Sequence, residues 1–249
     1  MANAGMILDA LAAKMPLELA EDYDNVGLLA GSRKTEVTDV LCALDLNACV
    51  IDEALEVGAQ LIVTHHPILF RGRKNLCLDD PEGAMLVKLA KSGLALIAMH
   101  TNFDSAENGV NDALAAKLGL SNVQTLESGV RMGRVPAQTL GAWTEHVEKT
   151  LGGAVRRYGE EDRVVEKIAV LGGSGGSYAS IALAAGADVF LTGEISYHTA
   201  MDLYDRGLCA LECGHAATEL PAVPHMADIL RNLEGMNLRV RTSRFVPFR

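Results

Sequence analysis

The sequence predicts an α/β protein with mostly parallel sheets. Short aliphatic runs alternate with segments of helical period, the connections between them are short, and polar side chains gather where the aliphatic runs end. The opening "MANAGMILDALAAKMPLELAED" reads as an amphipathic helix, since it lacks the basic start, continuous apolar stretch and small-residue cleavage site of a signal peptide. After the loop "EDYDNVGLLAGS", "VTDVLCALDL" reads as a strand, "NACVIDEALEVGA" as a helix and "QLIVTHH" as a second strand. "PEGAMLVKLAKSG" is then a helix, "LALIAMHTNFD" a third strand and "NGVNDALAAKLGL" another helix.

The alternation breaks at "SNVQTLESGVRMGRVPAQT", where glycine, serine, polar residues and a proline take over, so a second unit is expected from there. It holds a helix around "LGAWTEHVEKTLG", the strand "EKIAVLGG", a helix in "GSYASIALAAGA", the strand "DVFLTGE" and a helix from "SYHTAMDLYDRG". "LCALECG" adds a short strand, "HAATELPAVPHMADILRNLEG" is a helix interrupted at Pro221 and Pro224, and "MNLRVRTSRFVPFR" closes the chain as a strand.

Nearly half of the 249 residues are hydrophobic, enough for a sizeable core. With 22 Lys+Arg against 32 Asp+Glu the formal charge is -10, which repels phosphate backbones and anionic membrane surfaces and argues against nucleic acid as a partner. No run of about 18 apolar residues occurs, so no membrane span is expected. The five cysteines (Cys42, Cys49, Cys77, Cys209, Cys213) form no CxxC pair and suit free thiols in a reducing compartment, hence the cytoplasm.

In parallel α/β sheets, ligands bind outside the carboxyl ends of the strands. Thr64, His65 and His66 follow one aliphatic run, His100 to Asp104 another, Asp45 a third, and Thr192, Gly193 and Glu194 a fourth. Gly214, His215 and Glu219 follow a fifth; if "HAATE" is helical, His215 and Glu219 share one face. Adjacent side chains on a strand point apart, so His65 and His66 serve one small centre only if the strand twists or ends there, or else they grip two neighbouring metals. Asp104 equally suits a cap for the helix of "NGVNDALA". Together, neutral imidazoles and ionised carboxylates form a ligand set for Zn, Mn, Fe or Ni.

Weaker signals accompany these. "LGGSGGS" offers backbone amides between a strand and a helix but reads as a tight turn, matching no phosphate-loop pattern. Arg71, Arg73 and Lys74 read equally well as a phosphate-binding loop or a solvated basic one. Glu194 and His198 stand at i, i+4 as an acid/base pair or a surface pair.

The motifs "DNVGLLAGS", "IVTHHPILF", "MHTNFDSAENGVNDALA", "LTGEISYHTAMD" and "GHAATE", in this order, resemble the Nif-three-like dinuclear-metal family, labelled GTP cyclohydrolase I type 2. The resemblance spans almost the whole chain and implies two α/β domains, one from residues 1–125 plus 214–249, completed by the C-terminal segment, and one from 126–213. It implies that His65, His66, Asp104, His215 and Glu219 hold two adjacent divalent metal ions, with no departure at these positions. The two imidazoles are then adjacent because each is offered to a different metal. Asp104 and Glu219 are candidates to bridge, since carboxylates bridge metals and neutral imidazoles do not, while His100 and Glu194 are candidates to relay protons or bind substrate. The resemblance further implies a ring-shaped homohexamer.

The expected function is a dinuclear-metal-dependent hydrolase acting on a small molecule. The family label implies that water attacks C8 of the guanine ring of GTP, opens the imidazole ring and releases formate, leading to dihydroneopterin triphosphate. The alternative is a non-catalytic metal-binding hexameric scaffold or regulatory interaction protein.

Overall fold

The computed structural model describes residues 2–246. The N-terminal stretch contains β1 (Ala2–Asn3), α1 (Ala4–Lys14), β2 (Gly27–Ala30), β3 (Glu36–Val37), β4 (Asp39–Ala43), α2 (Ala48–Glu56), β5 (Leu61–Thr64), α3 (Pro81–Ser92), β6 (Ala95–Ala98) and α4 (Thr101–Ser105). The middle continues with α5 (Val110–Lys117), β7 (Ser121–Thr125), β8 (Arg131–Thr139), α6 (Leu140–Leu151), β9 (Arg156–Tyr158) and β10 (Val164–Leu171). Next come α7 (Ala179–Ala184), β11 (Val189–Thr192), α8 (Tyr197–Asp205), β12 (Cys209–Glu212), α9 (His215–Glu219), α10 (Ala222–Arg231) and β13 (Arg239–Thr242). The expected closing strand is therefore β13, and the end of that run beyond residue 246 lies outside the described residues.

The chain divides into two compact units, one from the stretch up to Ala106 together with Val223–Val246, the other from Glu107–Ala222. Residues 107–125 and 214–222, expected with the first unit, fall in the second. The reason is tertiary: α5 packs on β8, β10 and α9, and β7 pairs with β8.

The first unit carries a sheet of order β13-β4-β5-β6-β2, parallel throughout except for the antiparallel edge strand β2. Leu41, Ile62 and Leu96 of its strands pack against Val50, Ile51 and Ala54 of α2 and Leu89 of α3. Both helices begin as their sequences direct: the Asn47 side chain accepts the Val50 N–H at 3.0 Å, and the Asp80 side chain, followed by Pro81, accepts the Gly83 N–H at 2.8 Å.

The second unit's sheet has order β7-β8-β10-β11-β12-β9, with β10, β11 and β12 parallel and antiparallel pairings on both sides. Ile168 and Val170 face Trp143 and Val147 of α6 together with Val189, Leu191 and Leu211. Their neighbours Ala169 and Leu171 face the other way, with Phe190 and Ala210, toward Ala182, Ala200 and Leu203, as the two-residue period of a strand requires. The stretch expected as a break forms β7 and β8. β7 is exposed along its whole length, and Pro136 of β8 sits where the register with β10 shifts, the position a strand proline tolerates. Among the described residues no helix is long and apolar enough to cross a membrane.

Candidate functional site

In the first unit, β5 ends at Thr64, whose hydroxyl donates to the His66 carbonyl at 2.8 Å. The His65 and His66 amides donate to Ala43 O at 3.3 Å and Leu44 O at 3.0 Å as the chain leaves the strand. Side-by-side placement replaces alternation: the two imidazole centroids are 4.9 Å apart. His100, just past β6, brings its ring to 5.1 Å from that of His65 and 5.5 Å from that of His66. One ring nitrogen from each of the three histidines lies within 4.8 Å of the others.

Hydrogen bonds decide which nitrogen each ring offers. His65 Nδ1 lies 2.9 Å from the Met99 carbonyl, which only accepts, so Nδ1 carries the proton and Nε2 the lone pair. His66 Nδ1 donates to Asp45 Oδ1 at 2.7 Å and His100 Nδ1 to Asp24 Oδ1 at 2.8 Å, with the same consequence. Burial opposes ionisation of Asp24, but hydrogen bonds from His100 and from the Thr101 hydroxyl and amide outweigh it and hold the carboxyl well below the usual range. Asp104, one turn along α4 from His100, places Oδ1 3.7 Å from His65 Nε2. It does not cap the next helix; there the Gly109 amide donates to Asp112 Oδ2 at 3.2 Å.

In the second unit, β12 leads into Gly214, whose φ of +85° turns the chain into α9. That helix puts His215 Nε2 3.1 Å from Glu219 Oε1, and Glu219 is buried. Glu194, just past β11, places Oε2 3.4 Å from His215 Nδ1 and accepts the Ser174 hydroxyl. The Ser174 bond, followed by the bond and charge of His215, lowers the Glu194 pKa against its partial burial. Glu194 does not share a helix with His198, because Ser196 caps α8 and Tyr197 starts it.

Gly173 belongs to the "LGGSGGS" turn and has φ +63°. A Cβ there would lie 2.3 Å from Glu219 Oε1 and 3.2 Å from His215 Nε2, so glycine is what lets this backbone approach the carboxylate. The amides of Gly172, Gly173 and Gly175 donate to Asn111, Thr218 and Thr192 side chains at 2.8, 3.0 and 3.0 Å. Protein acceptors thus take the hydrogen bonds that an anion-binding loop would offer.

A family profile described as Duf34/NIF3 (NGG1p interacting factor 3) matches residues 2–247. The chain belongs to this family. A Clostridium acetobutylicum protein named "GTP cyclohydrolase 1 type 2 homolog" is 35% identical over 233 residues, covering 88% of this chain and 85% of that one. "Protein NIF3 homolog" of Schizosaccharomyces pombe is 32% identical over 231 residues, covering 81% and 79%. A solved Staphylococcus aureus hypothetical protein superposes with a TM-score of 0.94 at 30% identity, covering 100% of this chain and 99% of that one.

The donor chemistry of this Duf34/NIF3 chain fits a borderline divalent metal. In the first unit three imidazoles present Nε2 lone pairs, each ring is held from behind by a carbonyl or carboxylate, and Asp104 adds an oxygen; in the second, His215 and Glu219 offer a nitrogen and an oxygen of the same kind. Asp24 is the residue that the reading of strand ends missed. It stands in the loop before β2, 76 positions from His100, and its one sequence signal is that "DNVGLLAGS" begins with it. Of the basic loop, Arg73 is bound to Asp80 and Glu82, which removes it as a free phosphate ligand.

Proposed function

We propose that this Duf34/NIF3 protein is a metal-dependent hydrolase that holds two divalent ions of the Zn, Fe, Mn or Ni type through His65, His66, Asp104, His215 and Glu219. The observation that carries the reading is the pair of Nδ1 anchors, Met99 O and Asp45, behind the ligands His65 and His66. A histidine that serves only packing needs no such fixed tautomer, whereas a metal ligand does. When bound, the ions supply an activated water near neutral pH and polarise the atom it attacks.

The chain's own residues supply the rest. Asp104 and Glu219 bring negative charge to imidazoles that are neutral, so the ligand set offsets part of the ions' charge. His100, held through Nδ1 by Asp24, has Nε2 available to take a proton from the attacking water and return it to the leaving atom. Glu194, which accepts the Ser174 hydroxyl and stands 3.4 Å from His215 Nδ1, is the second group placed to relay a proton or bind substrate. The name carried by the Clostridium acetobutylicum relative makes GTP the first substrate to assay, through ring opening and release of formate.

The test is metal content by plasma mass spectrometry beside formate release from GTP. About two ions per chain are expected in the parent, and His65→Ala and Glu219→Ala should each lose metal and at least about a hundredfold of turnover together. Unchanged turnover in metal-depleted variants would overturn the reading. The same proposal includes a homohexamer in the cytoplasm, and light scattering on the purified chain reads the assembly.

A further inference from the structure

The loop between His66 and α3 contains a second feature that the metal ligands do not use. A cavity of about 580 Å³ is lined by Asn25, Leu69, Gly72, Arg73, Lys74, Asn75 and Leu76, a volume in the range of small-molecule sites. One of its walls is tied to the imidazole cluster through Asn25. Asn25 donates its side-chain amide to Leu69 O at 2.7 Å and its backbone amide to Asp24 Oδ1 at 2.7 Å, the carboxylate that holds His100. Phe70, beside Leu69, sets its ring edge-on to His100 at 6.0 Å and to Tyr23 at 6.0 Å.

Phe70 and Tyr23 are 41% and 61% exposed, so an aromatic pair is held in solvent at the side of His100 instead of being buried in the core. The charges of the loop complete the pattern. Arg73 is committed to Asp80 and Glu82 at the start of α3, which anchors the loop. Arg71 and Lys74 are exposed and form no ion pair among the described residues, although the chain as a whole is acidic. Lys74 lines the cavity and Arg71 follows Phe70 in the chain, so two unneutralised cations share a short loop with an exposed ring, a pattern that suits an anion attached to a flat group.

We propose that this loop is the substrate-recognition subsite, binding a planar heteroaromatic ring on Phe70 and Tyr23 and its phosphate chain on Arg71 and Lys74. Purine nucleotides are members of that class. The inference rests on the hydrolase reading for the term "substrate", and it adds the specificity determinants that the metal ligands cannot supply. A ring seated on Phe70 lies beside His100, the side chain assigned to proton transfer.

Calorimetric titration of the purified, metal-analysed protein with GTP, guanosine and inorganic triphosphate separates the two halves of the subsite. The Arg71→Ala/Lys74→Ala variant should bind GTP and triphosphate about tenfold more weakly and leave guanosine unchanged. Phe70→Ala should weaken GTP and guanosine about tenfold while triphosphate is unchanged, and Phe70→Trp should restore binding. All these side chains are exposed, so metal content and melting temperature should match the parent. Parent-like affinity for every probe in both variants, or no binding of any probe by the parent, overturns the subsite. Loop-dependent binding without formate release would sink GTP ring opening and leave the subsite standing. Turnover with an unchanged KM in both variants would do the reverse.

Discussion

The two units present their metal-type donors in opposite ways. The first offers imidazoles, each fixed by a hydrogen bond from Nδ1: His65 to the Met99 carbonyl, His66 to Asp45 and His100 to Asp24. The second offers a buried carboxylate, Glu219, which meets His215 at 3.1 Å and is given room by a glycine. A neutral ring needs orientation, because only one of its nitrogens can bind. A carboxylate has an acceptor on either oxygen and needs space and a compensating charge. The first cluster is therefore built from hydrogen bonds and the second from the absence of a side chain.

The sharpest way to break the second arrangement is Gly173→Ala. The new methyl would overlap Glu219 Oε1, and an alanine at φ +63° adds about 1 kcal/mol of backbone strain. Metal occupancy should fall nearly as far as in Glu219→Ala. Gly152→Ala separates the two causes, because its φ is +78° but a Cβ there meets nothing within 4 Å. It should lose a little melting temperature and no metal. Equal metal loss in both variants would assign the effect to strain and refute the argument from space.

The first cluster should respond more gently, since its support stands behind the ligands. Asp45→Ala removes the acceptor that fixes His66 and should weaken metal affinity about tenfold in competition with a chelating dye. Asp45→Asn keeps an acceptor oxygen and removes only the charge, so its loss should be smaller. If the two variants lose the same affinity, the charge on Asp45 matters and the orientation of the ring does not.

How much of this was legible in the sequence depends on the range of the interactions. The alternation of β4, α2, β5, α3 and β6 could be read because buried parallel strands are short aliphatic runs and their helices carry their own caps at Asn47 and Asp80. β7 and β8 looked like a break because β7 is fully exposed and polar, and β8 contains Gly133 and Pro136. The histidines stood out because parallel topology collects polar residues at strand ends. Asp24 did not, being a loop residue whose partner is 76 positions away. The assignment of 107–125 and 214–222 turned on the packing of α5 against β8, β10 and α9, which no local pattern announces.

The smallest expected effect concerns how each sheet is closed. In the second unit the edge strand β9 is joined to β12 by the Arg156–Glu212 pair at 3.0 Å, with the arginine largely exposed. In the first, the chain returns after α10 to lay β13 against β4, and the buried Asp39 accepts Arg239 Nε at 2.7 Å, Arg241 Nη1 at 3.3 Å and the Thr38 hydroxyl at 2.7 Å. The Arg239 bonds, acting against burial, hold the Asp39 carboxyl well below the usual range. A carboxyl lowered in this way stabilises the fold above its unfolded pKa of about 4 and loses that contribution as pH falls toward the folded value. Asp39→Asn should therefore lower the melting temperature by a few degrees at neutral pH and flatten its decline under acid. Hydrogen exchange locates the effect: amides of β4 and β13 should open faster in the variant while those of β11 and β12 stay as in the parent. Equal acceleration in all four strands would mean that the two units unfold as one, and that Asp39 closes more than its own sheet.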